Sequence, residues 1–291
     1  MRDRLLTLLS WISALAVSSA MGVLLWKLLL SGAPTLGTSL FFGDTPPLRA
    51  IFAGAPVWDG IWPAAAGTLT LLALTMVLAV VPGIGCGIYL ACFAGEGTRR
   101  RLGLAVDLLA GVPSIVMGLF GFVLILTLRR FFAPRATTCL LLSAFCLALL
   151  VLPSLVITTQ SVLESLPDGL KLTGEALGFT PWQTVRHLLL PAAGRGVLGG
   201  VMLALGRAAE DTAVIMVTGA VANAGLPAGL GAKYEALPFF IFYISSQYTS
   251  PDELQRGFGA ALVLLMLSGA LLLGAWALQR SLERKWKGVR P

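Results

Sequence analysis

The sequence predicts an all-α membrane protein that crosses the bilayer six times. Three observations predict it. Of 291 residues, 57% are hydrophobic and 12% charged, against about 25% charged in a soluble domain; so apolar a chain has too little polar surface to face water all round. Six apolar stretches reach the roughly 20 residues that a spanning helix needs. Lipid offers no partner to a free backbone N–H or C=O, so each stretch is helical by default.

The first span covers about 5–30. Arg2 and Arg4 precede it, as in a signal peptide, but the run from Leu5 to Leu30 exceeds the roughly 7–15 apolar residues of a signal core. It reads as an uncleaved span, with Lys27 able to snorkel near its outer end. The second span, about 61–94, is long enough to tilt or to break near Pro82-Gly83. The third, about 104–128, contains Pro113, which removes a backbone donor, kinks the helix and frees a carbonyl near Ser114. Asp107, toward its cytoplasmic end, reads as an interface or loop-contact residue. The fourth span covers about 137–160 and the sixth about 257–278. The fifth, about 197–220, opens on Gly196 and Gly200, a spacing that suits close helix packing against an unspecified neighbour. The whole chain, 1–291, reads as a single transmembrane domain with no stretch left for a soluble domain of useful size.

Charge sets the topology. The N-terminus, the 95–103 loop, the 161–196 loop and the C-terminal tail together hold thirteen Lys and Arg; the loops at 31–60, 129–136 and 221–256 hold six. The positive-inside rule therefore places both termini and the 161–196 loop in the cytoplasm. Arg129, Arg130 and Arg135 run against the rule in one short outer loop. Trp26 and Trp62 mark the outer interface, Trp276 and Trp286 the inner one. The net charge of +7 is thus a topology signal and not a nucleic-acid one. Cys86, Cys92, Cys139 and Cys146 lie in apolar segments without a Cys-x-x-Cys pair and read as small buried residues. The one histidine, His187, has no second imidazole or thiolate nearby in sequence and reads as a surface residue, so no metal site is expected.

The 161–196 loop is a polar island in this apolar chain. Leu166-Pro167-Asp168 starts a short helix, with Asp168 able to cap it, and Gly178 can end it in the left-handed conformation. Thr180-Pro181 with Gln183 is a capping-box start for a second helix. Val185, Leu188 and Leu189 give that helix an apolar stripe, and Leu190-Pro191 ends it ahead of span five. The expected loop is helix, glycine turn, helix. It reads either as a handle for a soluble partner or as a plain membrane-surface helix pair.

Gly178, nine residues, Leu188, one residue and Leu190-Pro191 resemble the Gly-x9-Ile-x-Leu-Pro half of the "EAA" loop of bacterial ABC-importer permeases. The front half departs from the pattern: Leu172 stands at the family's Glu, Thr173 and Gly174 at its alanines, and Glu175 is out of register. Five further stretches are similar to the PstA-type permeases of phosphate importers: Ala110 to Phe120, Gly60 to Leu69, Leu152 to Leu170, Tyr243 to Ser246 and Pro251 to Glu253. The resemblance implies the type I (MetI-like) importer fold and a bacterial inner-membrane permease moving inorganic phosphate. It implies that the loop is a coupling element, with Glu175, Ala176, Leu177, Gly178, Leu188, Leu190 and Pro191 at the ATPase. The implied partners are a second, PstC-like permease, a PstB-like ATPase dimer and an extracytoplasmic PstS-like phosphate-binding protein. The chain has no Gly-x4-Gly-Lys-Ser/Thr loop, so it cannot bind ATP that way, and the resemblance implies a transport subunit that is not an enzyme. It needs no cofactor of its own, and ATP-Mg belongs to the ATPase.

Arg207, Glu210 and Asp211 lie near the middle of span five. An arginine at a bilayer centre costs about 2.5–3.5 kcal/mol, so such residues face protein or water. Arg207 is spaced to pair with Glu210 at i+3 or Asp211 at i+4. These residues are expected either as a self-neutralised structural pair or, with Ser114, as the lining of an anion path, where a guanidinium fork fits phosphate. The resemblance favours the path, matching Arg-x-x-Gly-Glu-Thr-Ala at Arg207, Thr212 and Ala213, with Glu210 at the family's Gly and Asp211 at its Glu. The alternatives are another oxyanion such as molybdate, tungstate or sulfate, an ATP-independent carrier or channel, and a sensor that transports nothing.

Overall fold

The computed structural model describes residues 2–52 and 54–287. In chain order it contains α1 (Arg2–Gly32), a 3-10 turn (Ala33–Thr35), α2 (Thr38–Phe42), α3 (Pro47–Phe52), α4 (Trp62–Cys92), α5 (Glu96–Ala110), α6 (Ser114–Phe131), α7 (Leu140–Glu164), α8 (Gly169–Ala176), α9 (Pro181–Thr184), a π-helical turn (Val185–Leu189), α10 (Leu190–Glu210), α11 (Ala213–Thr218), α12 (Leu237–Gln247) and α13 (Pro251–Lys287). Among the described residues six helical stretches are long and apolar enough to cross a membrane. The described residues form no β-strand beyond one isolated bridge, Ala220 to Tyr234. The side chains of Arg2, Arg284, Lys285, Trp286 and Lys287, and all of Arg290, lie outside the described residues.

Helix α7 is the axis of the bundle. About two thirds of the residues in its most apolar stretch are buried, whereas none are in that of the first span. Glycines on its neighbours let it be approached closely. A Cβ on Gly83 or Gly87 of α4 would sit 2.8 Å from Leu155 or 2.6 Å from Thr159. The sequence leaves the partner of Gly196 and Gly200 open; it is α7, whose Val162 and Thr158 fill the two notches at 2.5 and 2.8 Å from where a Cβ would be. Leu71, Met117, Ile125, Leu147 and Leu150 form one core cluster with α4, α6 and α7. Leu72, Ala79, Val151, Leu155, Ala204 and Ala208 form the next, between α4, α7 and α10.

Two expected spans are broken. Pro113 does not kink one helix over 104–128. It separates α5 from α6, standing extended at φ −61°, ψ 143° as the cap of α6. A proline also disfavours α geometry in the residue before it, so the helix ends at Ala110. The fifth span begins earlier and stops sooner than 197–220: α10 ends at Glu210, Asp211 is extended at ψ 113°, and α11 covers only Ala213–Thr218. By contrast, α4 runs unbroken through Pro82. Trp62, expected at the outer interface, packs 5.5 Å from Phe42 with its Nε1 buried. Trp276, expected at the inner interface, is exposed beneath the Arg280 guanidinium at 4.0 Å, a cation–π contact.

The segment 221–256 is not a simple outer loop. Residues 219–236 fold back into the protein, burying Ala220, Tyr234, Glu235 and Ala236. Their carbonyls, with that of Thr218 at the end of α11, meet the donors at the start of α7, which no helix can satisfy internally: Cys139, Leu140 and Leu141 donate to Thr218, Ala232 and Leu230 at 3.0, 3.0 and 2.9 Å. The Thr68 hydroxyl accepts from the Leu237 N–H at 2.9 Å. Irregular backbone is tolerated here because protein, not lipid, surrounds it.

Glu235 anchors this segment. It is 7% exposed, and its Oε1 accepts from the Gly225 N–H at 2.7 Å. Burial raises its pKa, and hydrogen bonds from Gly225 and Ala224 oppose the rise. The folded state therefore holds this proton more tightly than the unfolded chain does. Its contribution to stability is full below the ordinary glutamate range and is lost as pH rises through the raised value. We expect the thermal midpoint in detergent to fall as pH rises above the ordinary glutamate range, and to fall less in Glu235→Gln, which keeps an Oε1 acceptor. An equal fall in both proteins would remove Glu235 from this account.

Candidate functional site

The polar hairpin is built by local chemistry at each corner. Gly178 stands at φ +69°. Its N–H donates to Glu175 O and the Phe179 N–H to Gly174 O, both at 2.9 Å, the paired bonds of a Schellman turn. Three residues on, the Gln183 N–H donates to the Thr180 hydroxyl and the Thr180 N–H to Gln183 Oε1, at 3.3 and 2.8 Å. This is the expected capping box, with Pro181 in the first turn. Asp168 makes no cap; its carboxylate lies 3.9 Å from Lys171. His187 is exposed, with Nδ1 3.0 Å from Gln183 O. Among the described residues no group of three or more metal-ligating side chains assembles.

Gly174 closes the hairpin. A Cβ there would overlap the Thr184 hydroxyl and lie 2.7 Å from its methyl. Beyond Thr184, Val185 and Leu189 bury against Ile88, Leu163, Ala193 and Val197. The second helix does not end at Leu190-Pro191, as the sequence suggests. The Leu190 N–H reaches back to Val185 O, and this wider π turn accommodates the proline ring that would otherwise crowd the preceding turn. Helix therefore continues without a break from Pro181 to Glu210.

Of the residues assigned to coupling, Glu175, Ala176, Leu177 and Gly178 are exposed at the hairpin, while Leu188, Leu190 and Pro191 are half-buried at its root. The hairpin also exposes Leu172, Leu177 and Trp182 at 62%, 60% and 57%. Gly174, Leu172 and Trp182 are the residues that sequence reasoning left out of the set. An ion pair from Arg99 to Glu164, with Gln160 also bonded to that carboxylate, ties the start of α5 to the end of α7 beside the hairpin.

Arg207, Glu210 and Asp211 line one groove with Gly206, Met202 and Leu272. Of the two arrangements expected, the ion pair does not form: among the described residues neither Arg207 nor Glu210 is in a salt bridge. Asp211 lies past the end of α10, and its Oδ1 accepts from the Val214 N–H at 2.8 Å. Its carboxylate holds the start of α11 instead of neutralising Arg207. Ser114 is half-buried at the start of α6 and is not among the residues of this groove. Its helix packs on α11, where a Cβ on Gly118 would lie 3.2 Å from Ala213 O.

Residues 83–288 match the family described as binding-protein-dependent transport system inner membrane component. The chain belongs to this family. The match covers the hairpin, α7 and the groove. The phosphate transport system permease protein PstA of Haemophilus influenzae is 30% identical over 91% of this chain and 89% of its own length. PstA 1 of Mycobacterium tuberculosis is 30% identical over 87% of this chain and 80% of its own length. PstC of Mesorhizobium japonicum is 36% identical, and the match covers 54% of this chain and 54% of that protein. Among solved structures, an inward-facing form of the MetNI methionine ABC transporter shares the fold at TM-score 0.59 and 19% identity, over 82% of this chain and 99% of that one. A bacterial alginate ABC importer does so at TM-score 0.58 and 12% identity, over 92% and 95%. The chain is therefore a multi-pass inner-membrane permease of the ABC-importer class, a transport subunit and not a catalyst.

The Gly174 contact has a direct test. Gly174→Val forces a Cβ and up to two methyl carbons into Thr184 and should destabilise the hairpin by about 1–3 kcal/mol. Limited proteolysis of the detergent-purified protein should then cut between α8 and α9 faster than in the wild type, with the rest of the chain unaffected. Equal cleavage rates would show that the hairpin does not depend on this contact.

Proposed function

We propose that this chain is one of two permease subunits of an ATP-driven importer of inorganic phosphate. Both termini and the hairpin lie in the cytoplasm, as the Lys and Arg distribution argues. The other parts are a second, similar permease, a cytoplasmic ATPase dimer that binds ATP-Mg, and an extracytoplasmic protein that delivers phosphate. Two relatives that align over most of this chain carry phosphate transport in their names, which supports the choice of substrate.

The observation that carries the reading is the hairpin. It is locked by a Schellman turn and a capping box, presents Leu172, Leu177 and Trp182 outward, and is continuous with a helix that ends at Glu210. ATPase closure would push on this rigid element and move α10, and with it the groove at Arg207. An exposed arginine in a membrane span is costly until protein or water covers it. Burial against the second permease, on a water-filled path, meets that need. Asp211 leaves Arg207 free to meet an anion, because its own carboxylate is held by α11.

Proteoliposomes containing both permeases and the ATPase should take up labelled phosphate only with ATP and the binding protein. Uptake by this chain alone, or competition by molybdate or sulfate as strong as by unlabelled phosphate, would overturn the reading. Gly178→Val strains a position at φ +69°, at a cost of order 1–3 kcal/mol. Uptake should fall about tenfold or more while ATP hydrolysis continues; unchanged coupling would remove the hairpin's role.

Arg207 is tested separately. Arg207→Ala should assemble normally and lose most uptake, and Arg207→Lys should keep part of it because the charge remains while the bidentate fork is lost. Full uptake in the alanine variant would make Arg207 structural only.

A further inference from the structure

The end of the molecule opposite the hairpin carries a cleft that the transport reading leaves unused. Its volume is about 330 Å³, and it lies between the segment ahead of α4, the inward-folded 219–236 segment, α12 and the start of α13. Trp58, Phe239, Phe240, Tyr243 and Tyr248 line it. Phe239 and Tyr243 are stacked at a centroid distance of 6.3 Å.

The charge of the cleft is lopsided. Asp59 and Glu253 stand against Arg256 alone, beside Glu235, whose burial favours the protonated form. Two of these carboxylates are committed within the fold. Glu235 holds Gly225, and Glu253 accepts from the Thr249 N–H at 2.8 Å and the Thr249 hydroxyl at 3.1 Å. Asp59 is exposed, with no hydrogen bond or ion pair among the described residues. The cleft therefore offers aromatic faces and one uncommitted carboxylate. Ring faces attract a guanidinium or ammonium group, and a carboxylate adds a charge-assisted bond. The same surroundings repel a phosphate. The volume is at the lower limit of small-molecule sites, roughly 300–1,000 Å³, and has room for one long side chain but not for a folded segment.

We propose that this cleft receives a lysine or arginine side chain of the extracytoplasmic protein that delivers the substrate, with Asp59 as its charge partner and Trp58 and Tyr248 among its walls. The identity of the occupant rests on the importer reading above; the preference for a cation rests on the lining. Contact here reads the partner, not the phosphate, at the opposite end from the ATPase.

The test uses the whole importer in proteoliposomes, titrated with its binding protein, and reads the half-saturating concentration for uptake and for stimulated ATP hydrolysis. Asp59→Lys should raise it about tenfold or more, Asp59→Asn should raise it less, and hydrolysis without the binding protein should not change. The wild-type value should rise with salt, and the Asp59→Lys value should rise less. Tyr248→Ala, which removes a wall and no charge, should also raise it. Unchanged half-saturation in Asp59→Lys and Tyr248→Ala, or a change in maximal rate alone, overturns the proposal while binding-protein-dependent uptake still supports the importer reading. Absence of ATP-dependent uptake in the wild type overturns the importer reading and this occupant with it.

Discussion

The fold depends on the close seating of α7 between α4 and α10. Side chains of one helix enter spaces left by missing Cβ atoms of the next: Leu155 and Thr159 at Gly83 and Gly87, Val162 and Thr158 at Gly196 and Gly200. In lipid, where apolar surface gains little from leaving the solvent, such close packing is what holds helices together. The consequence reaches further than packing. Because α7 is buried along most of its length, its first donors need protein partners, and Thr218 together with the inward-folded 219–236 segment supplies them. Because α7 ends beside the start of α8, the same helix fixes where the hairpin emerges.

The two broken spans follow from the same economy of backbone groups. A helix end inside a membrane protein leaves donors and acceptors that only protein can satisfy. At the start of α11 the Asp211 carboxylate does this for Val214. At the start of α6 the Pro113 carbonyl takes the N–H groups of Val116 and Met117 at 3.0 and 3.2 Å. These ends face one another across the Gly118 contact, so the breaks at 111–113 and 211–212 belong to one structural region, although about a hundred residues of chain separate them.

Much of the architecture is legible in the sequence because its causes are local. Spans follow from the length of apolar runs, and the hairpin follows from Gly178, Thr180, Pro181 and Gln183, each acting on residues three or four positions away. What is not legible depends on distant contacts. Gly174 is one more small residue until Thr184 is seen against it. The turn-rich stretch around Asn223, Gly225 and Pro227 has the composition of an outer loop, and it is bonds to distant residues, Leu140 and Leu141 among them, that draw the segment inward. Arg207 and Asp211 have the spacing of an ion pair, but helix spacing applies only while the helix continues, and α10 stops at Glu210. Pro191 misled for the opposite reason: a π turn, which no periodicity reports, let the helix pass it.

The continuous helix from Pro181 to Glu210 has a mechanical meaning. Its 30 residues make a rod about 45 Å long at about 1.5 Å per residue. It is seated along its length: Val185, Leu189 and Ala193 beside Leu163 and Ile88, Gly196 and Gly200 against Val162 and Thr158, and Ala204 and Ala208 beside Val151 and Leu155. Such a rod has no free arm to swing alone: a shift of its hairpin end without α7 would open three packed contacts at once. The π turn at Val185–Leu189 lies inside the packed stretch, where its neighbours and not its own hydrogen bonds hold it straight.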